Sequence, residues 1–365
     1  MTNIKLNYIN YNSRASSVLH FLRFLAALVV FLFHFYVPLP GYQAVIVFFV
    51  LSGYFISATI FKSLQDNRWS WSNYLVNRVT RLWVVLIPSL VLTLIWAKSQ
   101  FYFFGFDPKI ANELSLINFV GNIFFLQGIL VNNFGMNGPL WSLSYEFWYY
   151  ILFPCAVLFI YSKKISIKII HVLLFTLISL LVGPKIMLYF LIWLLGAIVP
   201  LISPLIINNK LYKSLLICFS IIARIISLFA YKFLSNSPQI VPDLFIGVSF
   251  ALLIYLIISF YNNSFIIKND YPELLASFSY TLYLVHYPVA NFIFAWLAST
   301  LWPLEETPLA IKLLFAIAVF LYSWIVSLLT EKHTDKVRKG ICSKLIIYTN
   351  LTYRKHNRQH NNPHL

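Results

Sequence analysis

The sequence predicts an all-α polytopic membrane protein, a bundle of about ten transmembrane helices with both termini in the cytoplasm. Sixty per cent of the 365 residues are hydrophobic and only 10% are charged, whereas soluble domains carry about 25% charged residues. The hydrophobic residues also form long runs, and roughly 20 apolar residues cross a ~30 Å hydrocarbon core as a helix. Transmembrane β-barrels need short alternating strands, so these continuous runs indicate helices.

The predicted spans share a length near 20 residues and few interrupting charges. They lie near 18–38, 44–61, 82–97, 140–160, 167–182, 186–203, 212–230, 240–260, 278–299 and 310–330. They divide the chain into an N-terminal cytoplasmic segment (1–17), a transmembrane domain (18–331) and a basic cytoplasmic tail (332–365). No small-residue cleavage site follows the first run, so we expect no removable signal peptide. The three cysteines are not at metal or redox spacing, and we expect no metal site.

Positive charge predicts the orientation. Of the 27 Lys and Arg residues, twenty fall in segments on the N-terminal side of the membrane and five on the other side. Because cytoplasmic loops are enriched in Lys and Arg, both termini are expected inside, with an even number of helices. The net charge of +16 then reflects topology and attraction to anionic membrane lipids. No nucleic-acid recognition module accompanies it, so nucleic acid is not an expected partner.

The first span contains two ionisable residues in an otherwise apolar run, "FLRFLAALVVFLFHF" at 21–35. Arg23 and His34 are eleven positions apart, and eleven steps of 100° place both on one stripe of a helix, about 16 Å apart. Ionisable residues within spans usually face a cavity and often have a function. The structural alternative is that Arg23 extends to the headgroups and that His34 forms an interhelical hydrogen bond.

Two further motifs follow. Ser52 and Gly53 lie inside the second span, where small residues either pack helices closely or let a ligand approach the backbone. Arg78 and Arg81 are i, i+3 neighbours that share a helix face, and paired guanidinium groups suit a phosphate. The alternative for this pair is the positive-inside rule alone.

The fourth span begins with "PLWSLSYEFW", in which Glu146 is the only carboxylate of the helix and follows Trp141 and Ser142. A carboxylate in a span should be paired or hydrated, and it can act as a base or a substrate anchor. The Gly- and Pro-containing stretch at 137–142 is expected on the outer face, where it can fold back as part of a substrate mouth.

The ninth predicted span carries Tyr280, Tyr283 and His286 at intervals of three residues, which places them on one helix face. Such a stripe is more often used for interhelical hydrogen bonds than for catalysis. Glu331, at the inner end of the last span, is a candidate salt-bridge partner for the basic tail. Arg224 and Asp243 are two further charges with no expected role beyond structural pairing.

Taken in order, these motifs resemble the acyltransferase-3 family of integral membrane acyltransferases, which modify extracytoplasmic carbohydrates and other acceptors. The resemblance runs from Arg23 to Glu331. It rests on an Arg-x10-His pair (Arg23, His34), an FFxxSG-type segment (Phe48, Phe49, Ser52, Gly53), an RxxR pair (Arg78, Arg81), "PLWSLSYE" through Glu146, and "SYTLYLVHYP" through His286.

The resemblance implies roles for these residues. Arg78 and Arg81 would hold the phosphates of cytoplasmic acyl-CoA, with Arg23 assisting. His34 would be the catalytic base or a transient acyl carrier, and the sequence does not separate the two. Glu146 would orient the imidazole or bind sugar hydroxyls. The residues expected to bind substrate or support the site are Ser52, Gly53, Trp141, Ser142, Tyr283 and His286.

The resemblance also implies a reaction. An acetyl group from acetyl-CoA, a donor substrate rather than a permanently bound cofactor, would reach a hydroxyl of an extracytoplasmic or lipid-linked polysaccharide such as O-antigen or capsule, in the inner membrane of a bacterium. Many relatives carry an SGNH-type esterase-like domain, and the tail of about 35 residues suggests the stand-alone form. A transporter or flippase for a lipid-linked glycan is the main rival, although no internal repeat is found, and a membrane scaffold is the third possibility.

Overall fold

The computed structural model describes residues 9–10, 13–234, 237–264, 271–300, 307–341 and 343. Most of the predicted cytoplasmic tail, including Cys342, lies outside these ranges. The described residues form helices joined by short connections, and one isolated bridge between Gln127 and Val131 is the only β-type pairing among them. The prediction of an all-α polytopic membrane protein is confirmed.

Besides a helical stretch that covers 334–341, eleven α-helices are named in the described part of the chain. They are α1 (Arg14–Phe33), α2 (Gly41–Gln65), α3 (Trp71–Phe104), α4 (Pro108–Glu113), α5 (Leu116–Ile123), α6 (Leu140–Tyr161), α7 (Ile165–Ile198), α8 (Lys210–Phe233), α9 (Ile240–Tyr261), α10 (Tyr271–Thr300) and α11 (Leu309–Leu329). Nine of these eleven are long and apolar enough to cross a membrane, and α4 and α5 are too short to do so.

The predicted run 167–182 and most of the run 186–203 lie in the single element α7. This element breaks at Gly183, whose φ of 78° and ψ of 173° are not helical. Before the break, His171 accepts a hydrogen bond from the Trp71 indole at the start of α3. After it, the hydroxyl of Tyr189 lies 2.6 Å from that of Tyr42 at the start of α2. The end of α2 lies next to the start of α3, so His171 and Tyr189 lie near opposite faces of the bundle. The chain therefore crosses the bundle between these two residues.

The stretch after the break returns beside α2. A Cβ atom at Gly53 would lie 2.0 Å from the carbonyl oxygen of Trp193, and one at Gly196 would lie 1.9 Å from that of Val50. The two backbones are therefore in direct contact through glycines, the close approach expected of small residues in membrane helices. Together with the reversal at Gly183, this makes ten crossings in the described chain, in agreement with the predicted number.

One face of the bundle carries most of the charge. One cavity is lined by residues near the starts of α1, α3 and α10, by the middle of α2, by α6, and by residues just after α11. The first and last long helices therefore begin and end at the same face, which we call the basic face. The prediction that this face is cytoplasmic remains a prediction.

The connection between α3 and α6 folds back into the bundle. The indole of Trp83 donates a hydrogen bond to the carbonyl oxygen of Ile123 at 2.9 Å, and that of Trp148 donates to Phe125 at 3.0 Å. Trp83 lies twelve residues, or about 18 Å, along α3 from its start at the basic face. Irregular backbone is tolerated at such depth only where protein groups satisfy it.

The glycine contact gives the first prediction. Gly196→Ala should lower the thermal unfolding temperature of the purified protein in detergent, because the new methyl group overlaps the backbone of α2 and overpacking costs roughly 1–3 kcal/mol. Gly340→Ala is the matched control, since a Cβ atom there meets nothing within 4 Å. Equal unfolding temperatures for the two variants would contradict the contact.

Candidate active site

A cavity of about 590 Å³ opens at the basic face and extends into the bundle. It brings together residues that the sequence places in four separate segments. The predicted residues in its wall are Arg23, Ser52, Arg78, Arg81 and Glu146. His20 and Glu331 also line it, and no sequence pattern pointed to His20. The lining contains five Lys and Arg residues and four Asp and Glu residues, so the positive charges exceed the negative ones by one.

Three arginines of this cavity, Arg23, Arg78 and Arg81, are poorly paired among the described residues, whereas Arg338 in the same wall pairs with Asp335. The ion pairs among the described residues are Arg68 with Asp66 and Arg338 with Asp335, and neither Arg23 nor Arg81 takes part. Arg78 lies over two aromatic rings, but its Nε atom is buried with no hydrogen-bond partner among the described residues. Guanidinium groups in this condition can bind an anion such as a phosphate.

Glu146 is held in the wall of the same cavity. Its Oε1 atom accepts a hydrogen bond from the hydroxyl of Ser52 at 2.9 Å and another from the hydroxyl of Tyr150. The indole of Trp193 donates to the oxygen of Ser52 at 3.3 Å. This network fixes Ser52 beside the glycine contact of α2 and α7. The imidazole of His34 forms its hydrogen bond with His286 rather than with Glu146.

His34 pairs with His286. Nδ1 of His34 lies 2.9 Å from Nε2 of His286, and Nδ1 of His286 lies 2.7 Å from the carbonyl oxygen of Leu282. A carbonyl oxygen only accepts, so Nδ1 of His286 carries a proton and, in the neutral ring, its Nε2 accepts. Nδ1 of His34 must then donate. Neutral His34 is left with a free lone pair on Nε2, the atom that a general base requires.

The surroundings of this pair come from the fold-back segment and α10. The ring of Tyr287 meets that of His34 edge-on at 4.9 Å, and a Cβ atom at Gly138 would lie 3.3 Å from the Tyr287 ring. Asn137 donates from its amide to the carbonyl oxygen of Leu284 at 3.1 Å. The stretch at 137–142 therefore does fold back beside the histidines. Tyr287 was not singled out by the sequence.

Arg23 and His34 lie at two different depths in the bundle, measured from the basic face. Arg23 lines the cavity and His34 does not, although one helix stripe carries both. Phe48 ends the cavity and packs edge-on against Tyr283 at 5.7 Å. The hydroxyl of Tyr283 lies 2.7 Å from that of Ser142. With Tyr280, which donates to a carbonyl oxygen of α3, the stripe on α10 makes the interhelical hydrogen bonds that its spacing suggested.

The remaining charged residues bond to hydroxyl groups, whereas structural pairing with other charges was expected. Asp243 accepts hydrogen bonds from the hydroxyls of Tyr42 at 2.9 Å and Tyr189 at 2.7 Å. Arg224 contacts the hydroxyl of Ser227 at 3.4 Å. Glu331 accepts from the hydroxyl of Thr281 at 2.8 Å. Trp141 stacks on Tyr42, with ring centroids 6.2 Å apart.

The fold and the site define a polytopic membrane protein with a basic cavity open to one face and a histidine pair beyond its end. The family model of the acyltransferase-3 acyltransferase domain matches residues 17–330, and the chain belongs to that family. The chain is also similar to an uncharacterized protein of Haemophilus influenzae, 27% identical over 134 residues, which are 35% of this chain and 54% of that protein. The chain thus spans about half the length of the curated relative it matches. No solved structure matches it.

The hydrogen-bond chain predicts the tautomer of His34. In ¹⁵N solid-state NMR of histidine-labelled protein in lipid, at a pH where the ring is neutral, His34 should be protonated on Nδ1 and bare on Nε2. The His34→Ala variant identifies its signals by their loss. His286→Phe removes the acceptor and should release this preference, since the Nε2–H form is then equally available. An Nε2–H signal for His34 in the wild-type protein would contradict the arrangement.

Proposed function

We propose that the protein is a membrane O-acyltransferase. It moves an acyl group, normally acetyl, from acyl-CoA bound at the basic face to a hydroxyl of an extracytoplasmic or lipid-linked surface polysaccharide, such as O-antigen or capsule. The observation that carries the proposal is the hydrogen bond from His34 to His286, which leaves Nε2 of His34 free to accept a hydroxyl proton. Family membership supports the same chemistry.

The cavity is the proposed donor site. Arg23, Arg78 and Arg81 would bind the phosphates of CoA, because they are cationic and largely without carboxylate partners. The amides of the pantetheine arm need hydrogen bonds as it passes deeper, and Ser52 and Glu146 offer a hydroxyl and a carboxylate there. We place the basic face in the cytoplasm and the protein in the inner membrane of a bacterium. Acyl-CoA is a substrate in this scheme, and no permanently bound cofactor is invoked.

His34 is the proposed base. Nε2 takes the proton of the acceptor hydroxyl as the oxygen attacks the thioester carbonyl carbon. The C–S bond then breaks, the ester forms, and the thiolate of CoA recovers the proton from the imidazolium. His286 holds the ring in the reactive tautomer throughout, because it accepts the Nδ1 proton.

Loss of the base should abolish transfer. His34→Ala is expected to reduce the O-acetyl content of surface polysaccharide, measured by NMR on cells with equal amounts of protein in the membrane, by a factor of about 10² or more. His286→Gln, which keeps an acceptor for Nδ1, should retain more activity than His286→Phe. His171→Phe changes another buried histidine and should leave transfer intact.

An unchanged O-acetyl content in His34→Ala would overturn the assignment of the base. Movement of a lipid-linked glycan across vesicles by the purified protein, with no dependence on acetyl-CoA, would instead show a carrier.

Donor binding should depend on the arginines. Arg78→Ala and Arg81→Ala should each weaken binding of labelled acetyl-CoA to the purified protein by about tenfold or more, because hydrogen bonds to charged groups contribute roughly 1.5–3 kcal/mol. Arg68→Ala is the control, since this side chain is 75% exposed and lies outside the cavity. Wild-type affinity in both cavity variants would exclude this donor site.

A further inference from the structure

The cavity narrows from a charged mouth to an aromatic end on α2. Its α2 lining residues are Phe48, Leu51, Ser52, Phe55, Ile56 and Thr59, which share one helix face by their spacing. Since α2 runs towards the basic face, the lowest-numbered of them lies deepest. Phe48 is therefore the end of the cavity, seventeen residues or about 25 Å from the last residue of the helix.

Phe48 lies beyond the arginines. Arg81 is ten residues, or about 15 Å, from the start of α3 at the same face, so Phe48 is about 10 Å deeper in the bundle. A donor with its phosphates on the arginines would extend its arm towards Phe48. The acyl group, at the far end of that arm, would lie against this ring.

A thin aromatic layer then separates the cavity from the histidines. Phe48 contacts Tyr283 edge-on, and Tyr283 is one helical turn from His286. Tyr283 is 8% exposed and anchored through its hydroxyl to Ser142. Phe48 is half-buried and its side chain has no polar group to anchor it. Of the two rings, Phe48 is the one that lines the cavity, so its size and rotamer limit the space at the deep end.

We propose that Phe48 determines which acyl groups the protein accepts, by closing the deep end of the donor cavity to all but short chains. This inference rests on the proposed donor site. In this scheme a short acyl group ends in front of the Phe48 ring, whereas a longer chain must displace the ring. Removing the ring should extend the cavity towards Tyr283 and admit longer chains.

Binding of CoA, acetyl-CoA and hexanoyl-CoA to the purified full chain in detergent, measured by calorimetry, tests this. In Phe48→Ala, the ratio of the Kd for hexanoyl-CoA to that for acetyl-CoA should fall about tenfold or more below the wild-type ratio, since each buried methylene adds to affinity. Phe48→Leu should lower it less, and it serves as the test if the alanine variant does not fold.

Phe55→Ala is the matched control. Phe55 lines the same cavity nearer the mouth and stacks on His20, so its loss can change donor affinity but should leave the ratio within about twofold. An unchanged ratio in a folded Phe48 variant would overturn the inference while leaving the donor site intact. If the wild-type protein binds none of the three probes, the donor site itself is wrong, and the inference fails with it.

Discussion

Hydrocarbon supplies no hydrogen-bond partners, and this constraint governs which polar groups the bundle can hold. The fold-back connection survives at membrane depth because indoles of α3 and α6 bond its carbonyl oxygens. Asp243 is fully buried, and two tyrosine hydroxyls bond it. His286 is likewise buried and uses both ring nitrogens. Arg23 and Arg81 form no ion pair within the described part of the chain, and their side chains line a cavity open to the basic face.

The lack of hydrogen-bond partners in hydrocarbon also divides the site into two parts at different depths. Cations gather where the cavity opens to water, and the neutral histidine pair lies deeper, beyond Phe48 and Tyr283. A hydroxyl is a poor nucleophile until a neutral base accepts its proton, and a low-dielectric setting favours the neutral imidazole. The proposed reaction uses both conditions, since the donor is anionic at its phosphates and apolar at its acyl end.

Close backbone packing supports this arrangement from one side. Gly53 and Gly196 let α2 and the second stretch of α7 touch, and this contact places the Trp193 indole against Ser52. Ser52 in turn holds Glu146 in the cavity wall. A larger residue at either glycine would separate the helices, and the cavity wall would shift with them.

Local pattern was enough to locate the spans, the stripe shared by Arg23 and His34, the pair formed by Arg78 and Arg81, and the family. Hydropathy and helical period are properties of neighbouring residues, so the sequence by itself determined them. Contacts between distant segments were decided only by the tertiary structure. The partner of His34 is His286, 252 positions away, Glu146 bonds Ser52, and Asp243 bonds two tyrosines. The break at Gly183 reverses the direction of the chain, and this too was decided by tertiary contacts, those of α7 with α2 and α3. The physical reason is that helix packing, which no local period encodes, chooses the partner of each buried polar group.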